Sequence, residues 1–279
     1  MMRISPFTPL FFSPSDELSG RYSRYTQIFA QTDRILVEVL ADTGEEAPTI
    51  KVNNLVLEYT DTIVPNKWEV NADTTLYFIV LSGLSDGYYT ININENESEE
   101  FIVTSNEEEL AKTALIQYAN VDNTRRDDVL FEIARMRYFF DYRVHGGFKD
   151  NGWSFGCNSE QFTTQHMDIV SIYAREFTTQ KLTIGTQHGV QVWHAEHLNR
   201  LLTCEYVYVN GIRYARKDSN TPELSEVIEG SRSFVINQLL QKVAHLEPTI
   251  EKINHQLIAR TVNTDKYRVT GDGDSPLII

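Results

Sequence analysis

Hydrophobic and polar residues alternate in short runs over residues 28–104. In the run "RILVEVL", Ile35, Val37 and Val39 fall on one side of an extended chain, which is the spacing of a β-strand. Similar runs follow in "TIKVNNLVLEY", "TLYFIVL", "GYYTINI" and "EEFIVT", and polar turn residues separate them. Short strands at this spacing predict an antiparallel β-sandwich over residues 28–108.

The sandwich is expected to end near residue 108. Asn106 precedes three glutamates and is suited to cap a short helix there. The run "TALIQYAN" just beyond it reads as another strand. The chain therefore divides into an N-terminal arm (1–27), the sandwich (28–108), a second β-rich domain (109–262) and a C-terminal tail (263–279).

The second domain mixes strand and helix patterns. The run "RMRYFFDYRVHGGF" alternates and predicts a strand that ends in a turn at Gly146-Gly147. The clearest local signal is "EYVYVNGIRYARK", in which Asn210-Gly211 is the favoured pair for a two-residue hairpin turn. Helical spacing occurs in "VWHAEHLNRLL", whose apolar face is formed by Val192, Ala195, Leu198 and Leu202.

The pattern is weaker after Pro222. The run "FVINQLLQKVAHL" has helical spacing, but "IEKINHQLIAR" fits helix or strand, so the conformation of residues 232–262 stays open. The residues on the helical face of the first run are Val235, Leu239, Val243 and Leu246. The fold class expected for the whole chain is mainly β, a β-rich α+β protein with one or two short helices.

The chain is acidic. Its 279 residues include 25 Lys and Arg against 39 Asp and Glu, a formal net charge of −14. That balance argues against direct binding to nucleic acid, which needs clustered basic side chains. The stretch from Trp68 to Ala111 holds no Lys or Arg at all. It predicts a solvated sheet edge, with a contact face for a basic subunit as the alternative.

Cysteine content and hydropathy suggest where the chain resides. Cys157 and Cys204 are too few and too far apart for a disulfide framework or a C-x-x-C site. The proline-broken N-terminus lacks the features of a signal peptide. No run approaches the roughly 18 apolar residues of a membrane helix. We expect residence in a cytoplasm and no membrane span.

Three histidines form the main candidate for metal chemistry. His188, His194 and His197 lie within the stretch "QHGVQVWHAEHLNR". A zinc helix uses H-E-x-x-H or H-x-x-E-H, and H-A-E-H is one residue shorter than either. We therefore expect no metal and no cofactor. The histidines are expected at the surface or at an interface of an amphipathic helix, which Trp193 anchors in the core or at an interface.

The stretch "GWSFG" matches G-x-S-x-G, with Ser154 in the place of a nucleophile. A nucleophile elbow needs a buried parallel strand before the serine and a helix after it, and the flanking residues show neither pattern. The interpretation preferred over a hydrolase is a loop that presents Trp153 and Phe155 to a partner. Other aromatic residues that could stack on sugars or anchor an interface are Tyr22, Tyr25, Tyr88, Tyr89 and Tyr173, most of them expected in the core.

Three stretches, "YFFDYRVHGGF", "KLTIGTQHGVQVWHAEHLNRLL" and "YVYVNGIRYARKD", resemble structural proteins encoded by tailed phages and prophages of gut Bacteroidetes. The resemblance covers residues 110–220. It implies a virion subunit of tail or baseplate type that oligomerises and has no catalytic residues.

The function expected is therefore assembly rather than catalysis. The protein would form homo-oligomers and dock to other tail subunits through its hairpin and its terminal arms, first in the host cytoplasm and then in the virion. The residues expected to make these contacts are Trp153, Phe155, Trp193, Asn210, Gly211 and Tyr214. Two alternatives are a carbohydrate-binding or adhesion module that contacts a host surface glycan, and a metal-dependent or serine hydrolase.

Overall fold

The computed structural model describes residues 2–12, 25–185, 188–218 and 220–243, and the backbone of two short strands, Tyr267–Val269 and Pro276–Ile278. Strands predominate over helices, so the predicted mainly β class is confirmed. In chain order the elements are β1 (Arg3–Ile4), β2 (Gln27–Ala30), β3 (Ile35–Asp42), β4 (Ile50–Asn54), β5 (Tyr59–Ile63), β6 (Asn66–Glu69), β7 (Thr74–Leu81), β8 (Gly87–Ile93), β9 (Asn96–Glu97), β10 (Phe101–Thr104), α1 (Glu107–Leu110), β11 (Thr113–Ala119), β12 (Glu132–Ile133), β13 (Met136–Arg137), β14 (Phe140–Thr163), β15 (Ile169–Ile184), α2 (Val192–Leu201), β16 (Tyr206–Val209), β17 (Ile212–Arg216), β18 (Glu223–Glu226), β19 (Phe234–Lys242), β20 (Tyr267–Val269) and β21 (Pro276–Ile278).

The first ten strands form two sheets that pack face to face. One sheet has the order β1-β3-β7-β6, and the other has the order β2-β10-β8-β4-β5 with β9 beside β8. The pairing is antiparallel as expected, except that β2 and β10 run parallel. Between the sheets lies a core that includes Phe29, Val37, Ile79, Ile91 and Phe101.

Strand β3 is buried on both faces, which the alternating pattern does not reveal. Ile35, Val37 and Val39 face the core between the sheets, as predicted. Leu36 and Leu40 on the opposite face join a second core cluster, which extends into the rest of the chain. The sandwich is therefore a layer inside a larger packed body.

Helix α1 lies at the predicted boundary near residue 108. The Asn106 side chain caps it by accepting hydrogen bonds from the backbone N–H groups of Glu108 and Glu109, at 2.9 and 3.4 Å. The division into two domains at this point stays a prediction. One core cluster contains residues from both sides of α1.

The strands beyond α1 close into a barrel. Antiparallel pairing runs from β11 to β14, β15, β19, β17 and β16, and β16 returns to β11. Strand β18 pairs with the first part of β19, on the same edge of β19 that β17 occupies further along. Closure removes the free edges of these six strands where they form the barrel wall.

Gly146 and Gly147 do not form the predicted turn. Both lie inside β14, where Gly146 pairs with Ile184. Gly146 has φ +135°, and a Cβ placed there would lie 2.1 Å from the carbonyl oxygen of Thr183. Glycine is required at this position because the two strands approach each other closely. In the sequence, such a glycine pair resembles a turn.

The hairpin at Asn210-Gly211 is confirmed. Val209 pairs with Ile212, and the two turn residues have φ 49° and 81°, as a type I′ turn requires. The turn also contacts β11, because the Asn210 side chain accepts a hydrogen bond from Leu115 N at 3.0 Å and Asn210 N donates to Leu115 O at 2.9 Å. The hairpin is thus part of the barrel wall.

The helix predicted in "VWHAEHLNRLL" is confirmed as α2. The helical pattern in "FVINQLLQKVAHL" is not confirmed, because residues 234–242 form strand β19. Ile236, Gln238 and Leu240 alternate on the buried face of that strand. Residues 244–262, which include "IEKINHQLIAR", lie outside the described residues.

The described part of the predicted N-terminal arm packs on the chain's own core. Phe7 and Leu10 are almost fully buried, and β1 pairs with β3. At the other end, β20 pairs with β21, and the remainder of the predicted tail lies outside the described residues.

Candidate functional site

A two-stranded ribbon projects from the barrel and is exposed along most of its length. Strand β15 contacts β19 only from Thr179 onward, so β14 and β15 pair with each other alone over residues 155–178. We name residues 153–178, which include the root of this hairpin, the ribbon. A turn at residues 164–168 joins its strands, with Met167 at φ 67°. Nine residues of β14 beyond Ser154 give the ribbon a length of about 30 Å.

The two strands of the ribbon keep a regular register apart from one bulge. Cys157 lies opposite Glu176 and Asn158 opposite Arg175, while Ile172 is an extra residue between two paired positions. Alternate residues therefore point to opposite faces. Both faces carry exposed apolar side chains.

The first face, which we name the Trp153 face, carries two aromatic rings near the barrel. Trp153 and Phe155 are 46% and 77% exposed. Their ring centroids are 6.2 Å apart and their planes differ by 9°. Ile169 extends the apolar surface at the tip. The predicted loop is thus a strand, but it does present Trp153 and Phe155 to solvent.

The opposite face, which we name the Arg175 face, combines apolar and charged side chains. Phe162 and Val170 lie opposite each other near the tip, and Tyr173 lies beside Glu160. Phe177 covers Gly156 so closely that a Cβ there would lie 2.3 Å from the ring. Phe162, Val170 and Tyr173 are 40–51% exposed, so this face also presents apolar surface to solvent.

The prediction that the histidines lie on a helix surface is wrong for two of them. His197 is fully buried and His194 nearly so, whereas His188 is exposed and lies outside α2. The Tyr142 hydroxyl and His194 Nδ1 are 2.6 Å apart, and the Tyr118 hydroxyl and His197 Nε2 are 3.1 Å apart. Burial lowers the pKa of His194 to about 3 and also lowers the pKa of His197.

The hydrogen bonds at Tyr118 define the tautomer of His197. The Tyr118 hydroxyl donates to the carbonyl oxygen of Phe7 at 2.5 Å, so His197 Nε2 must be the donor to Tyr118. Trp193 is buried and its ring stacks on Phe11 and on His197 at 4.9 and 4.8 Å. These side chains are neutral core groups that fix α2 to the barrel.

The described residues include no group of three His, Cys, Asp or Glu side chains placed to hold a metal ion. Ser154 lies in a ribbon strand rather than at a strand-to-helix turn, so the geometry of a nucleophile elbow is missing there. Cys157 is exposed on the ribbon and Cys204 is buried, and both are free thiols. Within the described ranges, no helix has the length and apolar content needed to cross a bilayer.

The six predicted contact residues are divided between surface and core. Trp153 and Phe155 are exposed on the ribbon, and Asn210 and Gly211 form the turn bound to β11. Trp193 and Tyr214 are buried, and the Tyr214 hydroxyl donates to Gln180 Oε1 inside the barrel. Of these six residues, only Trp153 and Phe155 present large apolar side chains to solvent.

Most of the ribbon's exposed residues were not predicted from the sequence. Of these residues, Phe162, Val170 and Ile172 flank the polar turn "TQHMD", and Tyr173, one of the aromatic candidates, is exposed beside them. A polar turn between two runs that contain β-branched and aromatic residues was a usable signal for a hairpin. Among the other aromatic candidates, Tyr88 is exposed, Tyr89 is buried, Tyr25 is half-buried and Tyr22 lies outside the described residues.

Comparison of the chain with protein-family profiles, curated proteins and solved structures finds no match. The site is therefore interpreted from its own geometry.

Proposed function

We propose that this chain is a non-enzymatic structural protein of a phage tail, baseplate or related particle, and that it assembles by docking its ribbon onto neighbouring subunits. The observation that carries the proposal is the ribbon itself, which has exposed apolar side chains on both faces. The resemblance of residues 110–220 to phage structural proteins supplies the kind of particle.

A two-stranded ribbon surrounded by solvent needs support from the rest of the fold. A two-stranded hairpin is marginally stable in water unless further strands or a packed face support it. Large exposed apolar patches on a folded protein mark interaction surfaces. The barrel holds the root of the ribbon through the pairing of β15 with β19, so the ribbon is presented ready for contact with little loss of entropy.

The test removes the ribbon and leaves the barrel. Ser154 and Thr179 lie opposite each other, so residues 155–178 can be replaced by Asn-Gly, which forms a two-residue turn. Light scattering and negative-stain imaging of the full chain should show defined oligomers, rings or particle-associated protein, and the truncated chain should lose them. Thermal unfolding of the truncated chain should stay within a few degrees of the parent.

The proposal fails if the truncated chain assembles as the parent does, or if both stay monomeric with and without the other proteins of their particle. In the particle setting, the protein would be made in the host cytoplasm and then reside in the virion. Imaging of particles labelled with an antibody to this chain tests that location.

A second candidate function is binding of a host surface glycan. The near-parallel rings of Trp153 and Phe155 form an exposed aromatic surface, and such surfaces stack on sugar rings. Glycan-array binding by the parent, lost in Trp153→Ala and kept in Tyr173→Ala on the opposite face, would support it. Absence of array binding would remove this candidate.

A further inference from the structure

The Arg175 face has a charge arrangement that fits a second copy of itself. Arg175 lies opposite Asn158, and Glu160 lies opposite Tyr173, so Arg175 and Glu160 are diagonal neighbours on the same face. Both side chains are exposed, and neither forms an ion pair with any described residue. One cation and one anion are thus offset along the axis of the ribbon.

An offset pair of opposite charges is self-complementary. A two-fold axis that crosses the ribbon midway between Arg175 and Glu160 places two copies face to face and antiparallel. Arg175 of each copy then lies at the same position along the ribbon as Glu160 of the partner subunit. Each guanidinium then lies within reach of Glu160 of the partner subunit. The same rotation brings the apolar tip, Phe162 and Val170, onto the partner's Phe177.

We propose that the Arg175 face of the ribbon binds the same face of a second copy of this chain, with Arg175 of each copy paired to Glu160 of the partner subunit. This inference rests on the proposed function, because it names the partner of the ribbon. Two faces about 30 Å long bury roughly 1,000 Å² in total, which is the lower limit for a specific interface.

Other occupants fit the face less well. Nucleic acid is disfavoured because the chain has a net charge of −14. A basic protein would meet Glu160 favourably but would place its own cations against Arg175. A second copy satisfies both charges and covers Phe162 and Val170 with Phe177 of the partner subunit.

The experiment exchanges the charges one at a time and then mixes the products. We expect Arg175→Glu and Glu160→Lys each to weaken self-association by about tenfold or more, because each homodimer contains two like-charge contacts. An equimolar mixture of the two variants should recover association, since both contacts in the mixed dimer are then between opposite charges. Analytical ultracentrifugation of the full chain, with reductant to protect Cys157, measures this.

The mixture distinguishes contacts between copies from contacts within one copy. A double variant restores both kinds of pair, but only an intermolecular contact is restored by mixing two single variants. Glu176→Lys is the matched control, because Glu176 is exposed on the Trp153 face opposite Cys157. It should leave association unchanged.

Three results would overturn the inference: single variants that associate like the parent, a mixture that does not recover, and a parent that stays monomeric at all concentrations. Loss of assembly on ribbon truncation, combined with unchanged assembly in the charge variants, would leave the proposed function standing and reject the self-contact. Circular dichroism melting of each variant shows that folding is not the cause of any change.

Discussion

The guanidinium of Arg143 and the carboxylate of Asp33 form a bidentate ion pair that joins the barrel to the sandwich. Arg143 Nε lies 2.6 Å from Asp33 Oδ2, and Arg143 Nη2 lies 2.8 Å from Asp33 Oδ1. The side chains are only 12% and 3% exposed. Asp33 Oδ2 also accepts a hydrogen bond from Ala30 N at 2.8 Å, so the carboxylate is held from both sides.

Removing the Arg143 side chain should therefore destabilise the folded protein. Arg143→Met keeps most of the apolar stem but leaves the Asp33 carboxylate buried without its partner, so we expect a loss of roughly 3 kcal/mol in the free energy of unfolding. Urea denaturation measures it. The double variant Asp33→Asn with Arg143→Met should lose less than the sum of the single variants, and additive losses would contradict coupling of the pair.

Glu38 should make the protein less stable as pH rises. It is fully buried, one carboxylate oxygen accepts from Leu130 N at 3.1 Å, and burial raises its pKa to about 8. The unfolded carboxyl titrates near pH 4.3, so the folded state holds a proton that the unfolded state releases, and stability falls from about pH 4.3 to about pH 8.

Glu38→Gln tests this linkage, because glutamine keeps an acceptor for Leu130 N and cannot ionise. We expect the variant to be more stable than the parent by roughly 5 kcal/mol at about pH 8.5, with the difference mostly gone at about pH 4.5. Denaturant unfolding at the two pH values checks it. An equal difference at both would show that the carboxyl does not retain its proton.

Gly146 and Gly147 provide a matched pair. Gly146→Ala should destabilise the protein by roughly 3 kcal/mol or more, because φ +135° is unfavourable for alanine and the new Cβ meets Thr183 O. Gly147→Ala should change stability by less than about 1 kcal/mol, since nothing lies within 4 Å of its Cβ position. Thermal unfolding of both variants makes the comparison, and equal losses would refute it.

His194 should stay neutral throughout the physiological pH range. Its pKa is lowered to about 3 by burial beside Tyr142. In nuclear magnetic resonance spectra of the folded protein, we expect the carbon-bound ring proton of His194 to keep its chemical shift between about pH 8 and pH 5. The same histidine in the urea-unfolded chain should titrate near pH 6.5. A folded midpoint near 6.5 would contradict the burial of this ring.

Local signals in the sequence predicted local structure well. Asn210-Gly211 identified its hairpin because only a few residue pairs tolerate φ > 0 at both turn positions. Asn106 identified the start of α1 because its side chain satisfies free backbone N–H groups. In both places the physical cause lies within a few residues of the signal.

The errors came from contacts between distant parts of the chain. The requirement for glycine at position 146 arises from the nearby backbone of Thr183. The burial of His194 arises from its packing against Tyr142. Residues 234–242 fit a helix by spacing, but pairing with β15, β17 and β18 makes them a strand. The ribbon was missed because β14 continues beyond the barrel past two glycines that resemble a stop.

Strand β15 links two parts of the molecule that differ in their resistance to opening. Residues 179–184 have a paired strand on each side, while residues 169–178 have one neighbour only. Amide hydrogens in the outer half can exchange with solvent by local fraying, whereas those in the inner half require the barrel to unfold. One continuous strand therefore joins a segment that frays to a segment that is fixed in the barrel. A partner that binds the ribbon also lowers fraying at its root.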